Sequence, residues 1–353
     1  MKVLIVEDSQ TVRTYVEGIL RRAPDMEVLP PARDGVAAVE LAQKYRPDVI
    51  LMDLELPRMS GLEAICEIMS TVPRPIIVLS GALDKEGTNR TFESFQAGVV
   101  DVLAKPRGLS KDEQERFAER LLQTVRLMAE ARVIRRPSTG FRKSSPPQAG
   151  SAPPFESKDP TNFQALKIVL IGASTGGPQV IRTILDGIPA PFPIPIVICQ
   201  HIVPGFEDGL AYWLRQSKHN VHVANHGENA VAGNVYLARA DKQIVVNDLE
   251  LLLRPPVSRY QIMPSADVLF DSAAHTIGRD CVALLLTGMG EDGRRGLLAL
   301  KNQGALTITQ SAATCVIDGM PKAARNSGAS VLDLSPKRMT ELLRQIATAK
   351  QPT

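Results

Sequence analysis

Short apolar runs alternate with amphipathic stretches along most of the chain. In the first part, KVLIV, DVILMD, PIIVLSG and VVDVLAKP alternate with segments such as SQTVRTYVEGILRRA, whose apolar residues recur at helical spacing. Later, KIVLIGAS, IPIVICQH, CVALLLTG and ALTITQ are each followed by a glycine-containing turn or a helical stretch. Strands and helices that alternate in this way indicate parallel sheets with helices on both faces. The pattern therefore predicts an α/β fold with two doubly wound, mostly parallel sheets.

Two segments break this alternation. Residues 233–256, GNVYLARADKQIVVNDLELLLRPP, show strand alternation without a helix, so we predict an antiparallel hairpin near the edge of the second sheet. Residues 132–161 are rich in Pro, Ser and basic residues and lack an apolar period, which is typical of a flexible linker. Its basic pairs fit a solvated linker better than a nucleic-acid-binding tail. The predicted division is a domain at 1–128, a linker at 129–164 and a second domain at 165–347.

Composition agrees with two globular domains and excludes several classes of protein. A length of 353 residues suits two domains, and an aromatic content of 4% argues against a base-stacking surface. The 4 cysteines are scattered without a CxxC pair, so neither a zinc knuckle nor a disulfide framework is indicated. The apolar run at the N-terminus is too short for a signal peptide, and no run is long enough to span a membrane. We expect a soluble cytoplasmic protein.

Polar residues follow four strands of the first predicted sheet, and together they suggest phosphoryl chemistry. They are Glu7 and Asp8, Asp53, Ser80 and Lys105. The carboxyl ends of parallel strands meet at one edge, where converging carboxylates need a cation such as Mg²⁺. We predict Asp53 as the phosphoacceptor and Glu7, Asp8 and Asp53 as the Mg²⁺ ligands. Ser80 would donate to the phosphoryl group, and Lys105 would be its counter-cation.

This set resembles the receiver domain of response regulators over residues 1–128. The resemblance includes the Lys105-Pro106 dipeptide and the LPRMSG loop after Asp53. It implies a flavodoxin-like fold and a histidine kinase as phosphodonor. The chain departs from the family pattern at Glu7, where an aspartate is usual, and at Val102, where many receivers carry an aromatic residue. The first change preserves charge, whereas the second leaves open how phosphorylation is transmitted.

Ser174 is the candidate nucleophile of the second domain. In KIVLIGASTGGP it directly follows a buried-type strand and precedes a predicted helix, with glycines around it. Such a turn exposes a serine hydroxyl, and the amides that open the helix can donate to an oxyanion. The GxSxGG pattern alone also fits a phosphate-cradling loop of a dinucleotide-binding domain. A dinucleotide-binding domain would need an acidic ribose-binding residue about 20 residues further on, and the sequence has none there.

A general base and a carboxylate are expected at neighbouring strand ends. His201 follows the apolar run IPIVICQ, whereas His219, His222 and His226 lie in a polar stretch that we assign to the surface and His275 lies in a helical pattern. Asp292 follows the strand CVALLL within a glycine-rich loop. Glu291 and Asp280 compete for the same role, but Asp280 precedes its strand. The order Ser174, His201, Asp292 differs from the order in ordinary α/β hydrolases.

Several motifs in this domain resemble the catalytic domain of chemotaxis protein-glutamate methylesterases, over roughly residues 165–347. They are GASTGGP, Gln200-His201, PSAD at 264–267, LTGMGEDG at 286–293 and TCVIDGMPKAA at 314–324. The resemblance implies a Rossmann-like domain with Ser174, His201 and Asp292 as its triad. Thr175 and Met289 would supply oxyanion or positioning contacts.

The same resemblance implies a substrate, and it implies that phosphorylation of the first domain regulates hydrolysis of this substrate in chemosensory adaptation. The substrate would be methylated glutamates on cytoplasmic helices of chemoreceptors, with deamidation of receptor glutamines as a second activity and no cofactor for hydrolysis. The family pattern is not kept at Gln261-Ile262-Met263 or at Ala238-Arg239-Ala240, two loop segments expected to touch the substrate.

A competing hypothesis is a phosphorylation-dependent scaffold with an inactive hydrolase domain, against which the complete triad argues. A DNA-binding regulator would need a basic recognition helix after the linker, and the sequence shows none.

Overall fold

The computed structural model describes residues 1–81, 91, 94, 97–99, 101–105, 110–129, 163–258 and 262–351. The chain divides into two compact units, Met1–Gly140 and Phe141–Thr353. Nearly all of the predicted linker, residues 130–162, lies outside the described residues, as do Pro106 and Gln261. In the part of the chain that is described, none of the helices is both long and apolar enough to cross a membrane.

The first unit contains a five-stranded parallel sheet with the order β2-β1-β3-β4-β5. Its strands are β1 (Lys2–Val6), β2 (Glu27–Val28), β3 (Val49–Asp53), β4 (Ile76–Ser80) and β5 (Asp101–Ala104). Its described helices are α1 (Gln10–Leu20), α2 (Gly35–Tyr45), α3 (Gly61–Thr71) and α4 (Lys111–Ala129). This strand order is that of the flavodoxin-like doubly wound fold. The sheet order therefore agrees with the predicted fold of this domain.

Local sequence explains where these helices begin. Ser9, Asp34 and Ser60 each cap a helix by accepting a hydrogen bond from a backbone N–H of its first turn. Ser60 forms a capping box with Glu63, whose carboxylate accepts from the Ser60 amide. The central strands β3 and β4 are buried along their whole length, as expected for strands covered by helices on both faces.

The second unit contains a seven-stranded parallel sheet with the order β15-β14-β13-β6-β7-β10-β8. Its strands are β6 (Ile168–Ala173), β7 (Ile196–Gln200), β8 (Asn220–Val223), β10 (Asn234–Leu237), β13 (Cys281–Leu285), β14 (Leu306–Gln310) and β15 (Leu332–Leu334). The chain leaves β6 for β7 on one side and returns to β13 on the other. The carboxyl end of β6 is therefore a topological switch point, where open α/β sheets place their sites.

Helices and a small second sheet cover this parallel sheet. The described helices are α5 (Gly177–Gly187), α6 (Glu207–Arg215), α7 (Ala266–Thr276), α8 (Arg294–Asn302), α9 (Met320–Asn326) and α10 (Pro336–Ala349). The second sheet is antiparallel, with the order β11-β12-β9, from β9 (Glu228–Asn229), β11 (Gln243–Asn247) and β12 (Glu250–Arg254). Phe270 of α7 and Ile244 of β11 lie in one buried cluster with residues of β6 and β13. The core therefore extends from the parallel sheet through α7 to the hairpin.

The fold class is confirmed, and one detail of the hairpin prediction is wrong. The hairpin is β11 and β12, which pair in antiparallel register from Gln243 with Arg254 to Asn247 with Glu250. The NVYL part of the same segment instead forms β10, inside the parallel sheet between β7 and β8. Its strand alternation was visible in the sequence. The sequence did not show that β10 pairs with β7 and β8, because other elements separate these strands from β10 along the chain.

Candidate functional site

Three carboxylates meet at the carboxyl edge of the first sheet. Glu7 and Asp8 follow β1, and Asp53 ends β3. One oxygen from each lies within 4.8 Å of the others, and this is the sole such acidic group found among the described residues. Arg13, a buried residue of α1, donates through Nη1 to the carbonyls of Glu7 at 2.9 Å and Asp8 at 3.2 Å, which fixes their loop. The oxygen donors suit a hard divalent cation such as Mg²⁺.

Lys105 lies against two of these carboxylates. Its Nζ is 2.5 Å from Asp53 Oδ2 and 2.8 Å from Glu7 Oε2. Burial lowers the pKa of Lys105, but its hydrogen bonds to Asp53 and Glu7 outweigh burial and raise that pKa above its ordinary value. Burial raises the pKa of Glu7, although the bond from Lys105 opposes this effect. Lys105 therefore stays charged beside the proposed phosphoacceptor.

Ser80 reaches the same edge through the pairing of β4 with β5. The Lys105 amide donates to the Ser80 carbonyl at 2.8 Å, which places the two side chains at neighbouring strand ends. Ser80 Oγ lies 3.2 Å from Thr91 Oγ1. The structure thus brings all five predicted residues of this site to one edge. Val102 is half-buried in β5 and pairs with Val78.

Ser174 sits on a tight turn between β6 and α5. Its amide donates to the Thr287 carbonyl at 3.1 Å, and its carbonyl accepts from the Gly177 amide at 2.8 Å. Gly176 has a φ of +77°, which favours glycine, and a Cβ there would lie 2.7 Å from Val316 Cγ2. These features match the strand-to-helix turn that the glycines around Ser174 predict.

The loop after β13 packs directly on this turn. A Cβ at Gly288 would lie 2.6 Å from Ser174 Cβ, so only glycine allows so close an approach. Met289, the next residue, is half-buried. Thr175, on the other side of the contact, is buried, and its carbonyl accepts from Thr287 Oγ1 at 3.1 Å. Thr175 therefore directly follows Ser174, and Met289 directly follows Gly288, the two residues that pack closely against each other.

His201 and Asp292 form a short hydrogen bond at the same edge. The His201 amide donates to the Ala173 carbonyl at 2.9 Å, which places His201 beside the residue that precedes Ser174. Its Nε2 lies 2.7 Å from Asp292 Oδ2, so Nδ1 is the ring nitrogen that remains for another partner. Within the described part of the chain, the Ser174 hydroxyl makes no hydrogen bond. Contacts between nucleophile and base often tighten only when substrate binds.

The N-terminus of α7 surrounds the Asp292 carboxylate with donors. Ser265 Oγ donates to Oδ1 at 2.6 Å, the Ala266 amide to Oδ2 at 2.7 Å, and the Asp267 amide to Oδ1 at 3.1 Å. Burial opposes ionisation of Asp292, but the hydrogen bonds from His201 and Ser265 outweigh it and lower the pKa of this carboxyl. Asp292 is therefore held as a carboxylate against His201.

The competing carboxylates lie elsewhere. Glu291 is exposed and pairs with Arg294 at 3.2 Å. Asp280 lies before β13, at the opposite end of the strand, where its carbonyl accepts from the Lys167 amide at 2.7 Å. Neither is within the hydrogen-bond network of Asp292.

One histidine expectation is wrong. The polar stretch around His219 predicts a surface position, but its ring is buried, and Nε2 lies 3.0 Å from the Leu185 carbonyl. Burial is the main cause of its lowered pKa. The polar sequence around it concealed the short strand β8, which begins at Asn220. His226 and His275 are exposed, and His222 is half-buried.

Ser265 and Gln200 make contacts in this site that their motifs, PSAD and Gln200-His201, do not reveal. Ser265 has a detectable signal, because a serine before a helical pattern predicts an N-cap, and it does accept from the Val268 amide. Its second bond, to Asp292 across 27 residues of sequence, has no local signal. Gln200 Nε2 donates to the carbonyls of Ser174 and His201.

Fold and sites together define a class: a receiver domain followed by a second α/β domain with a serine at the carboxyl edge of its sheet. Residues 3–113 match the response regulator receiver domain, and residues 169–343 match the CheB methylesterase family. A protein-glutamate methylesterase/protein-glutamine glutaminase of Geobacter metallireducens is 41% identical over 99% of this chain and 100% of its own length. The corresponding protein of Nitrosospira multiformis is 37% identical over 100% of this chain and 99% of its own.

This chain belongs to the CheB methylesterase family, as a protein-glutamate methylesterase with an N-terminal receiver domain. It is also similar to the solved catalytic domain of Thermotoga maritima CheB methylesterase. That structure is 34% identical and covers 51% of this chain and 98% of its own, with a TM-score of 0.49. The response regulator domain of the same protein is 36% identical and covers 37% of this chain and 98% of its own, with a TM-score of 0.34.

Proposed function

We propose that this enzyme hydrolyses glutamate γ-methyl esters with Ser174 as nucleophile, His201 as general base and acid, and Asp292 as the carboxylate partner. The observation that carries the proposal is the 2.7 Å bond between His201 Nε2 and Asp292 Oδ2, at the edge where the turn presents Ser174. A carboxylate on Nε2 holds the proton there and leaves Nδ1 basic. His201 is thus prepared to accept a proton from a serine hydroxyl.

The reaction follows from these positions. Ser174 Oγ attacks the ester carbonyl carbon while its proton passes to His201 Nδ1. The C–O bond to the methoxy group breaks, and the imidazolium returns the proton, so methanol leaves and an acyl-enzyme remains. Water, deprotonated by the same nitrogen, then releases glutamate and restores Ser174. With a glutamine side chain the leaving group is ammonia, which gives the deamidase activity.

Thr175 and Met289 are the proposed oxyanion and positioning residues. Thr175 follows the nucleophile, and the backbone N–H after a serine elbow commonly donates to the developing oxyanion. Met289 follows Gly288, whose backbone packs against Ser174. Both roles rest on this proximity.

The receiver is the proposed point of control. Asp53 would accept a phosphoryl group from the histidine kinase of a chemosensory array, and Glu7, Asp8 and Asp53 would hold Mg²⁺. Bound there, Mg²⁺ supplies positive charge against the phosphoryl oxygens. Ser80 would donate a hydrogen bond to the phosphoryl group, and Lys105 would exchange its present carboxylate partners for the phosphoryl group.

The proposed substrate is the methylated helical segment of a chemoreceptor's cytoplasmic part, so we place the enzyme in the cytoplasm, without membrane insertion or nucleic-acid binding. An inactive scaffold would not need the donor set around Asp292.

Substitution of Ser174 tests the assignment. Ser174→Ala should lower methanol release from methylated receptor membranes by about 10⁴-fold or more, because only binding and oxyanion contacts remain. Ser327→Ala is the matched control, since Ser327 caps the C-terminal end of α9, and in the described structure its hydroxyl donates to the Ala324 carbonyl. Its rate should equal that of the wild type. Undiminished release by a folded Ser174→Ala enzyme would remove Ser174 from the mechanism.

A further inference from the structure

Gln200 occupies the last position of β7, immediately before His201, and its side chain is almost fully buried. Its Nε2 lies 2.8 Å from the Ser174 carbonyl and 2.9 Å from the His201 carbonyl. Both partners can only accept, so the atom between them must be the amide nitrogen, with its two hydrogens. One side-chain group therefore joins the backbones of the proposed nucleophile and the proposed base.

The position of this link in the sheet gives it a purpose. The ladder between β6 and β7 ends with the bond from the His201 amide to the Ala173 carbonyl. Beyond that bond the two chains enter separate turns, and ordinary strand pairing no longer fixes their distance. Gln200 supplies the next donors, so it continues the pairing to the residues that must react together. In the described structure the His201 carbonyl accepts its hydrogen bond from Gln200 Nε2.

The surroundings are shaped for this carboxamide. A Cβ at Gly177 would collide with Gln200 Oε1 and lie 3.2 Å from Gln200 Cδ, so the glycine makes room for the side chain. Gln200 Oε1 is buried without a hydrogen-bond partner in the described residues. A buried acceptor left unpaired costs free energy. The two donated bonds therefore account for a glutamine here better than core packing does.

We propose that Gln200 is a positioning residue of the hydrolase, which sets the distance between Ser174 and His201 by holding both carbonyls. This inference rests on the proposed function of Ser174 and His201. A misplacement of reacting groups by about 1 Å can cost on the order of 10²-fold in rate. Loss of the link should thus slow the chemical step and leave substrate binding unchanged.

Two substitutions of similar shape separate positioning from packing. Gln200→Met removes both donors, and Gln200→Glu leaves at most one, the proton of a neutral carboxyl, for two carbonyl oxygens. We expect each to lower kcat for methanol release about 10²-fold with KM changed less than twofold, and to slow labelling of Ser174 by a fluorophosphonate by a similar factor. Thr307→Val is the matched control, because it removes another buried donor to a carbonyl, Ala329 O at 2.7 Å, from β14. It should destabilise the domain and keep the wild-type kcat per folded enzyme.

Measurement of full-length Ser174→Ala in parallel distinguishes the two hypotheses. An inactive Ser174→Ala enzyme together with wild-type kcat in both Gln200 variants would overturn the positioning role alone. A loss that appears only in KM, or that matches the loss of folded protein as in Thr307→Val, would overturn it as well. An active Ser174→Ala enzyme would instead overturn the proposed function.

Discussion

Asp292→Asn is a sharp test of the donor network, because the two carboxylate oxygens have different partners. Oδ2 accepts from His201 Nε2 and the Ala266 amide, both at 2.7 Å. Oδ1 accepts from Ser265 Oγ at 2.6 Å and the Asp267 amide at 3.1 Å. Asparagine replaces one of these oxygens with an NH₂ group, which cannot accept. Either orientation of the amide therefore leaves a backbone N–H of α7 facing another donor.

The distances predict which orientation is adopted. With the oxygen at the Oδ2 position, the asparagine keeps both 2.7 Å bonds and loses only the longer bond from Asp267. Ser265 Oγ can rotate to accept from the new NH₂ group, because a hydroxyl has two lone pairs. The opposite orientation would lose both bonds at Oδ2. We therefore expect His201 to keep its tautomer, at a cost of about 1–3 kcal/mol in stability for the unpaired amide.

The expected loss of rate then comes from the missing charge. Two unit charges about 4 Å apart interact by about 4 kcal/mol at an effective dielectric constant of about 20. The carboxylate provides this stabilisation only when His201 becomes an imidazolium, so its loss raises the barrier. About 1.4 kcal/mol corresponds to a tenfold change, which gives a fall in kcat of about 10³-fold. A reversed tautomer would place the proton on Nδ1 and remove the base altogether.

The assay is kcat for methanol release per folded enzyme, with Ser174→Ala as the lower reference. Asp280→Asn is the matched control, since Asp280 lies at the opposite end of β13 and should leave kcat unchanged. A rate for Asp292→Asn as low as that of Ser174→Ala would show that the His201 tautomer reverses and that the predicted orientation of the new amide is wrong. A rate within tenfold of the wild type would show that Asp292 is not the carboxylate partner of His201.

Two further predictions concern the phosphoacceptor site and a buried histidine. A coupling of about 1–3 kcal/mol between receiver and hydrolase corresponds to stimulation of about 5- to 150-fold by a small phosphodonor, and Val102 places our expectation in the lower half of that range. This stimulation should vanish in Asp53→Asn or with EDTA, whereas the basal rate of hydrolysis should persist. Basal hydrolysis lost to EDTA would reveal a metal requirement in catalysis. Burial lowers the pKa of His219, so the unfolded state takes up its proton first and stability should fall as the pH drops below about 6.5. Urea unfolding followed by Trp213 fluorescence should show a smaller loss of stability at low pH in His219→Gln than in the wild type. If the stability of both proteins falls with pH in the same way, the role of His219 is contradicted.

The sequence by itself determined the two α/β sheets and the strand ends that carry chemistry. Apolar runs such as KIVLIGA fix the period and burial of a strand, and the polar residue that follows each run must lie at the carboxyl edge. Glu7, Asp53, Ser174 and His201 all follow or end such strands. Local chemistry was therefore sufficient to select these residues.

Only the tertiary structure decided which of them meet and what holds them. The bond between His201 and Asp292 joins residues 91 positions apart, and β10 lies between β7 and β8 rather than in the hairpin. Strand order and the docking of the N-terminus of α7 on Asp292 depend on the packing of segments distant in sequence, which leaves no local period. His219 shows the same limit, because its neighbours Lys218 and Asn220 are exposed whereas its own ring is buried. The pattern along a chain reports the environment of each segment, whereas the contacts between segments are set by how all of them pack together.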